Sequence, residues 1–142
     1  MKILILCTGN SCRSQMAEGF LKSFDSKLEV YSAGMKPEKE VNPRTIRVMK
    51  EKNIDLSSNR PENVEKFLEE SFDYVITVCN SAKETCPVFM GEVEHRLHMG
   101  FEDPAGATGT EDETLDKFRE VRDQIEQEFK QFYEERIKQN KN

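Results

Sequence analysis

The sequence contains no tryptophan, only 2 histidines, and few glycines and prolines, 7 and 5 among 142 residues. Collagen-like and low-complexity chains need far more glycine and proline, so both classes are excluded. Basic residues are fewer than acidic residues, with 21 Lys and Arg compared with 27 Asp and Glu, which gives a net charge of -6. A net acidic chain lacks the basic face that binding to nucleic acids or anionic membranes requires.

Long apolar runs are missing as well, since none approaches the roughly 20 residues of a membrane-spanning helix. The apolar run Ile3–Cys7 is too short for the core of a signal peptide, and no small-residue cleavage site follows it. We therefore expect a cytoplasmic protein, in which thiols stay reduced.

The chain has 4 cysteines. A chain of this length buries enough surface to fold without disulfide staples, so these cysteines are core residues, metal ligands or reactive groups. The C-x2-C pairs typical of zinc sites are absent, and no metal site is predicted.

Short apolar strands alternate with amphipathic helices along the chain. We predict strands at Ile3–Leu6, Leu28–Ser32, Phe72–Val78 and Val93–Leu97. We predict helices at Ser14–Phe24, from Asn42-Pro43 onward, at Asn63–Glu70, and from the capping box Thr110–Glu113 onward. This alternation predicts a single three-layer α/β domain over residues 1–142, with a four-stranded parallel sheet, helices on both faces and a polar tail at 138–142.

The residues between the first strand and the first helix combine the features of an oxyanion site. A glycine lets the loop curl so that its N–H groups converge, and the helix start adds a positive dipole end. Arg13 can bind two oxygens of a tetrahedral anion, and the positive field favours a Cys7 thiolate, to which the Ser14 hydroxyl can donate. Cys7 is then a nucleophile aimed at the central atom of the anion. The predicted oxyanion-binding residues are Thr8, Gly9, Asn10, Ser11, Cys12, Arg13 and Ser14.

The alternative interpretation of this segment is a tight turn in which Cys7 is only a buried strand residue. Its position argues against that, because ligands of parallel α/β sheets bind beyond the carboxyl ends of the strands. Cys7 and Cys79 both lie at such ends in the predicted sheet.

Cys79 and Cys86 lie seven residues apart after the third predicted strand. In a helical segment their Cα atoms would be about 10 Å apart, whereas a disulfide needs them within about 7 Å. A disulfide therefore requires the segment to unwind, and the polar stretch Asn80–Glu84 offers little apolar anchorage against that. We predict a redox switch here; the alternative is one buried and one incidental exposed cysteine.

The segment Gly100–Gly109 is rich in turn residues and carries a candidate general acid. Asp103 can protonate a leaving oxygen, and Pro104 restricts it to an extended conformation. On the motif alone, a surface Asp-Pro turn is the favoured interpretation. His95 and His98 precede this segment and are interpreted as surface residues.

Cys7–Glu18 resembles the phosphate loop of the low-molecular-weight protein tyrosine phosphatase superfamily, and more narrowly that of the thioredoxin-coupled arsenate reductases. The resemblance covers nearly the whole chain and implies a flavodoxin-type winding of the sheet. It continues through Tyr31–Gly34, Val41–Pro43, Ile54–Ser57, Val75–Pro87, Gly100–Ala105 and Val121–Asp123.

The resemblance implies a three-cysteine relay that reduces arsenate to arsenite. Cys7 would attack arsenate and form a covalent adduct, Cys79 would attack Cys7 and release arsenite, and Cys86 would attack Cys79. Thioredoxin would then reduce the Cys79–Cys86 disulfide. Asp103 matches the general acid of the family, Cys12 is left with a packing role, and no tightly bound cofactor is implied.

Two other functions stay open. A low-molecular-weight phosphomonoester or tyrosine phosphatase needs Cys7, Arg13 and Asp103, and a phosphocarrier needs a phosphate held on Cys7. The tyrosine phosphatases usually carry aromatic residues after the acid, where this chain has Ala105-Gly106, so a small oxyanion is favoured. Phosphate and sulfate are the expected analogues of arsenate, and the chain is expected to be a monomer.

Four positions resemble those that hold a monovalent cation in some reductases: Asn10, Glu18, Ser32 and Glu62. For Asn10 we favour a simpler role, in which its side chain stiffens the loop through hydrogen bonds to the backbone. Glu18 is otherwise an ordinary helix residue.

Overall fold

The computed structural model describes residues 1–80, 84 and 86–140. The described part contains four strands and three α-helices, and the bounds of each follow in chain order. They are β1 (Lys2–Cys7), α1 (Arg13–Phe24), β2 (Glu29–Gly34), α2 (Pro43–Lys50), β3 (Phe72–Thr77), β4 (Val93–His98) and α3 (Glu111–Phe132). Short 3-10 turns span Val64–Phe67, Pro104–Gly106 and Lys138–Asn140, and a π-turn spans Tyr133–Ile137.

The four strands form one parallel sheet in the order β2-β1-β3-β4. This is the flavodoxin-type order, with β1 and β3 as neighbours at the centre of the sheet. Cys7 lies opposite Gly34 of β2, and Leu6 lies opposite Thr77 of β3. The predicted fold class is therefore confirmed.

The two central strands place apolar side chains on both faces of the sheet, because successive residues of a strand point to opposite sides. On one face, Ile3 and Ile5 pack in a core with residues of α1 and α3. On the other face, Leu4 and Leu6 pack with Phe67 and Phe89. Burial on both faces holds the carboxyl ends of β1 and β3 in fixed positions beside each other.

The helix starts follow the sequence signals. The Asn42 side chain accepts a hydrogen bond from the N–H of Arg44, and Thr110 and Glu113 form a reciprocal capping box. The helix predicted at Asn63–Glu70 is wrong in extent, because only the 3-10 turn Val64–Phe67 forms. Val64 and Phe67 contact the core there, which is too little apolar surface to hold a longer helix. Among the described residues, no helix is both long and apolar enough to cross a membrane.

Candidate active site

The carboxyl end of β1 borders a cavity of about 290 Å³. Cys7 ends β1, and Arg13 begins α1 after the intervening loop. Asp103 and Glu84 line the same cavity from two other segments of the chain. The structure thus brings together three residues that the sequence predicts, Cys7, Arg13 and Asp103, and adds a fourth that it does not.

The loop between β1 and α1 is held from outside through its carbonyl groups. The N–H groups of Lys36 and Glu38 donate to the carbonyl oxygens of Thr8 and Gly9 at 3.0 and 2.9 Å. Within the part of the chain that the structure describes, the backbone N–H groups of residues 9–12 have no intramolecular acceptor. They are free to donate to an anion, which is the role that the sequence predicts for this loop.

Gly34 allows β2 to approach this loop closely. A Cβ atom at this position would lie 2.5 Å from the carbonyl oxygen of Thr8, a distance that no side chain tolerates. The glycine that closes β2 is therefore needed for packing against the loop of residues 8–12 between β1 and α1, which we call the anion loop.

Asn10, not Gly9, adopts the unusual backbone conformation of the loop, with a φ of 51°. Asn10 is fully buried. Its side chain donates to the Ser14 hydroxyl at 2.7 Å and accepts from the N–H of Glu62 at 2.9 Å. The prediction that the Asn10 side chain bonds to the backbone of its own loop is wrong, because its partners are the side chains of Ser14 and Gln15 and the N–H of Glu62. Within the described residues Ser14 forms no hydrogen bond with Cys7.

The Arg13 guanidinium is 3 % exposed and lies at the centre of a hydrogen-bond network. Its Nη1 donates to Glu84 Oε2 at 2.6 Å and to the carbonyl oxygen of Phe101 at 3.0 Å, and its Nη2 donates to Glu84 Oε1 at 3.0 Å. Burial alone would lower the pKa of Arg13, but the bonds to Glu84 and the nearby Cys7 and Asp103 raise it above its ordinary value. Among the described residues none accepts from its buried Nε, so this donor is also left for a ligand.

The Cys7 thiol is 3 % exposed. Its burial raises its pKa above the ordinary value, and this outweighs the lowering by Arg13 and by the N–H of Thr8. Glu84 and Asp103 add to the increase. The predicted positive contribution of Arg13 is present, but the expectation that the field favours a thiolate is wrong for the state seen here. Burial and two carboxylates outweigh one guanidinium.

Asp103 has the extended backbone that the following proline predicts, with φ -78° and ψ 110°. Its Oδ1 accepts from the N–H of Ala105 at 3.0 Å, and its Oδ2 lies 3.6 Å from Nη2 of Arg13. The side chain is 49 % exposed, so water reaches it beside the cavity.

Cys79 and Cys86 form a disulfide, with their Cα atoms 5.8 Å apart. The pair is therefore bonded at a separation that a helical segment would not allow. Cys79 is fully buried, whereas Cys86 is half-buried. Residues 81–83 of the predicted polar segment lie outside the described residues; Glu84, which is described, donates its N–H to the carbonyl oxygen of Asn80 at 3.0 Å.

Cys12 remains a free thiol and is 5 % exposed in the core below the loop. Its burial raises its pKa to about 11, although Thr45 and Ser11 lower it. A thiol with that pKa stays protonated at neutral pH and is a poor nucleophile. The predicted packing role of its side chain is confirmed.

The four positions named for a cation lie in two hydrogen-bonded pairs. Asn10 is bonded to Glu62, and the Ser32 hydroxyl donates to Glu18 at 2.6 Å. The Lys22 ammonium also donates to Glu18, at 2.8 Å, so a side-chain cation already accompanies that carboxylate.

The two histidines lie on the surface, as predicted. His95 stacks on Tyr74 with ring centroids 4.9 Å apart, and the His98 ring is 2.7 Å from the Thr77 hydroxyl.

Sequence reasoning missed Glu84 and the carbonyl group of Phe101 as partners of Arg13. Glu84 is 71 residues from Arg13 in the chain, and nothing local in either segment pairs them. The one available signal was a carboxylate placed between two cysteines at a strand end, next to a predicted anion site.

Comparison with known proteins identifies the family to which this fold and this loop belong. The profile of the family described as low molecular weight phosphotyrosine protein phosphatase matches residues 2–142. This chain belongs to that family.

Within the family, the similar proteins include several arsenate reductases. The chain is 44% identical to the arsenate reductase of Halalkalibacterium halodurans over 133 residues, which cover 93% of this chain and 94% of that one. It is 43% identical to the arsenate reductase of Bacillus subtilis over the same shares of the two chains. A solved structure of an arsenate reductase in the phosphate binding state superposes with a TM-score of 0.76 at 33% identity, covering 92% of this chain and 95% of that chain. The resemblance seen in the sequence is therefore confirmed.

Proposed function

We propose that this protein reduces arsenate to arsenite, with Cys7 as the nucleophile and Cys79 and Cys86 as the carriers of the electrons. The observation that carries the proposal is the Cys79–Cys86 disulfide, whose two cysteines flank Glu84 in the sequence, a residue that lines the same cavity as Cys7 and Arg13. A phosphatase or a phosphocarrier would use the cavity but would leave the disulfide without a role. The arsenate reductases at 43–45% identity support the same choice.

The first step is nucleophilic attack on a bound arsenate. The N–H groups of residues 9–12 and the Arg13 guanidinium bind its oxygens, because hydrogen bonds to a charged oxyanion are strong in a buried site. The Cys7 thiolate attacks the arsenic atom, an As–O bond breaks, and the leaving oxygen takes a proton from Asp103 and departs as water.

The second step transfers two electrons to arsenic. The Cys79 thiolate attacks the Cys7 sulfur, and the electron pair of the S–As bond stays with arsenic, which leaves as arsenite in the +3 state. Cys86 then attacks Cys79, the Cys7–Cys79 disulfide breaks, and Cys7 leaves as a thiolate. The final product is the Cys79–Cys86 disulfide, which is the state of the structure described here.

The cycle closes when an external dithiol reduces the disulfide. We propose thioredoxin as this reductant in a reducing cytoplasm, since no tightly bound cofactor is needed to supply two electrons and two protons. The protein is proposed to act as a monomer, with phosphate and sulfate as competing analogues of arsenate. Because the anion site suits phosphate as well, slow phosphomonoester hydrolysis is expected alongside.

The test is NADPH consumption in the presence of thioredoxin, thioredoxin reductase and arsenate. The wild type should turn over many times, whereas Cys86→Ser should stop after one turnover with a Cys7–Cys79 disulfide. Phosphomonoester hydrolysis is the matched control, because it needs Cys7, Arg13 and Asp103 and should survive in reduced Cys86→Ser. Normal turnover by Cys86→Ser would overturn the relay. Hydrolysis without any arsenate-dependent NADPH consumption would support the phosphatase instead.

A further inference from the structure

The carboxylate of Glu84 occupies the two terminal nitrogens of Arg13, which we call the Arg13 clamp. Glu84 accepts hydrogen bonds from both terminal nitrogens of Arg13, at 2.6 and 3.0 Å, and from the Thr8 hydroxyl at 3.0 Å. A carboxylate presents two oxygens and a negative charge in the fork geometry that Arg13 would otherwise offer to an oxyanion. Glu84 therefore lies where a substrate would compete for the same donors.

The position of Glu84 is tied to the cysteine pair. Glu84 lies between Cys79 and Cys86 in sequence, and the N–H of Asn80 donates to its Oε2 at 3.0 Å. One set of hydrogen bonds to this carboxylate thus comes from the anion site, and another comes from the residue that follows Cys79. In the structure with the Cys79–Cys86 disulfide, Glu84 reaches Arg13.

We propose that Glu84 is an internal competitor of the oxyanion, which holds the Arg13 clamp while Cys79 and Cys86 are bonded and leaves it when they are reduced. Reduction by a dithiol adds two electrons and two protons to the S–S bond, gives two thiols, and converts the dithiol into its own disulfide. The inference rests on the proposed function, because it takes the cavity as the oxyanion site and the cysteine pair as redox-active.

The contact with Glu84 also balances the charge of Arg13 after the relay has released arsenite. When arsenite leaves, the buried Arg13 guanidinium would be left without a hydrogen-bonded carboxylate partner, because Asp103 lies 3.6 Å away, and this is costly in a buried site. Glu84 supplies that partner, and the Arg13 hydrogen bonds hold the pKa of Glu84 below its ordinary value, so that it stays ionised. The oxidised protein then binds a second arsenate, which it has no electrons to reduce, more weakly than the reduced protein does.

The same contact acts on the nucleophile. The charge of Glu84 is one of the causes that raise the pKa of Cys7, together with burial and Asp103 and against Arg13. In the oxidised protein this charge opposes formation of the Cys7 thiolate, the form that reacts with oxidants and alkylating agents.

The experiment compares inorganic phosphate binding to the protein with the Cys79–Cys86 disulfide and to the fully reduced protein, by calorimetry. The reduced wild type should bind phosphate at least about tenfold more tightly than the oxidised wild type, since a charge-assisted hydrogen bond is commonly worth that much or more. In Glu84→Gln the affinity of the oxidised form should rise until the two forms differ by no more than about twofold. Glu84→Asp, which keeps the charge on a shorter side chain, should lie between the two, and Glu69→Gln, an exposed carboxylate elsewhere, should keep the wild-type ratio.

A second readout is the alkylation rate of Cys7 in the oxidised protein, measured by peptide mass mapping at one pH. Glu84→Gln should be alkylated faster than the wild type. The proposal that Glu84 competes with the oxyanion would be overturned by equal phosphate affinity in the two wild-type forms. It would also be overturned if the affinities of reduced and oxidised Glu84→Gln differed as much as those of the wild type. If even the reduced protein binds no phosphate, the oxyanion site itself is wrong and the competitor with it. If phosphate binding behaves as expected but arsenate is not reduced, the proposed function fails while the competitor stands.

Discussion

The Arg13 guanidinium donates a hydrogen bond of 3.0 Å to the carbonyl oxygen of Phe101. One buried side chain thereby joins the anion loop to the segment that carries Asp103 two residues later. The proposed acid is held near the cavity by the group that is proposed to bind the anion, so the two proposed functions depend on one side chain. This coupling makes it useful to separate the two experimentally.

The substitution Asp103→Asn should separate anion binding from proton donation. The Asp103 carboxylate lies 3.6 Å from Arg13, so its neutralisation should leave phosphate affinity unchanged or tighter. The rate of phosphomonoester hydrolysis should fall about a hundredfold or more, because a general acid commonly contributes that much. The measurement is kcat for a phosphomonoester beside the Kd of phosphate. An unchanged kcat would show that the proton comes from another group.

Substitutions of Asn10 should distinguish its backbone conformation from its hydrogen bonds. Asn10 has a φ of 51° and holds Ser14, Gln15 and Glu62. Glycine adopts that φ without strain, so Asn10→Gly loses only the hydrogen bonds. Alanine is strained at that φ, so Asn10→Ala loses the hydrogen bonds and also carries the strain. We expect Asn10→Ala to be the less stable by about 1 kcal/mol in urea unfolding, and both to bind phosphate more weakly than the wild type. Equal stability of the two variants would contradict a strained φ at this position.

Gly34→Ala should destabilise the protein by about 1–3 kcal/mol, as overpacking of a tight contact does. The added methyl group would lie 2.5 Å from the carbonyl oxygen of Thr8, so β2 or the anion loop has to move. Gly106→Ala is the matched control, because a Cβ there meets no atom within 4 Å. The measurement is the midpoint of thermal or urea unfolding. The argument fails if the two variants unfold alike.

Glu51 should contribute a pH-dependent part of the stability. Hydrogen bonds from Arg119 and Arg122 lower its pKa to about 2, below its ordinary value in the unfolded chain. The stabilisation is present above about pH 4.5 and is lost as the pH falls towards 2. Glu51→Gln should therefore lower the free energy of unfolding at pH 7 and flatten its decline between pH 5 and 2.

The control for that experiment is Glu40→Gln, which neutralises an exposed carboxylate. It should follow the wild-type curve. A Glu51→Gln curve parallel to the wild type over the whole acid range would show that the arginine contacts contribute nothing. The effect should be small, since the side chains of Glu51 and Arg119 are partly exposed and water screens the pair.

The external reductant should attack Cys86. The Cys86 residue is half-buried, whereas Cys79 is fully buried in the core, and thiol–disulfide exchange requires access to the attacked sulfur. A thioredoxin that lacks its second cysteine should therefore be trapped as a mixed disulfide on Cys86, identified by peptide mass mapping. A mixed disulfide on Cys79 would mean that the segment opens before the attack.

The sequence by itself determined most of the local structure. The apolar run after Lys2, the Asn42-Pro43 helix start and the Thr110 capping box depend on neighbouring residues, so their patterns could be interpreted directly. The same holds for the extended conformation of Asp103 before a proline. These signals also placed Cys7 and Cys79 at the ends of strands, which was enough to predict an anion loop and a redox pair.

Only the tertiary structure decided how that site is occupied. Glu84 reaches Arg13 across 71 residues of sequence, and the φ of Asn10 depends on partners as distant as Glu62. The direction of the Cys7 pKa depends on its burial and on carboxylates from two other segments. Local sequence patterns show which chemical groups are available. Charges and packing act through space between distant segments, so the partners of these groups and the direction of their pKa shifts are decided only when the chain has folded.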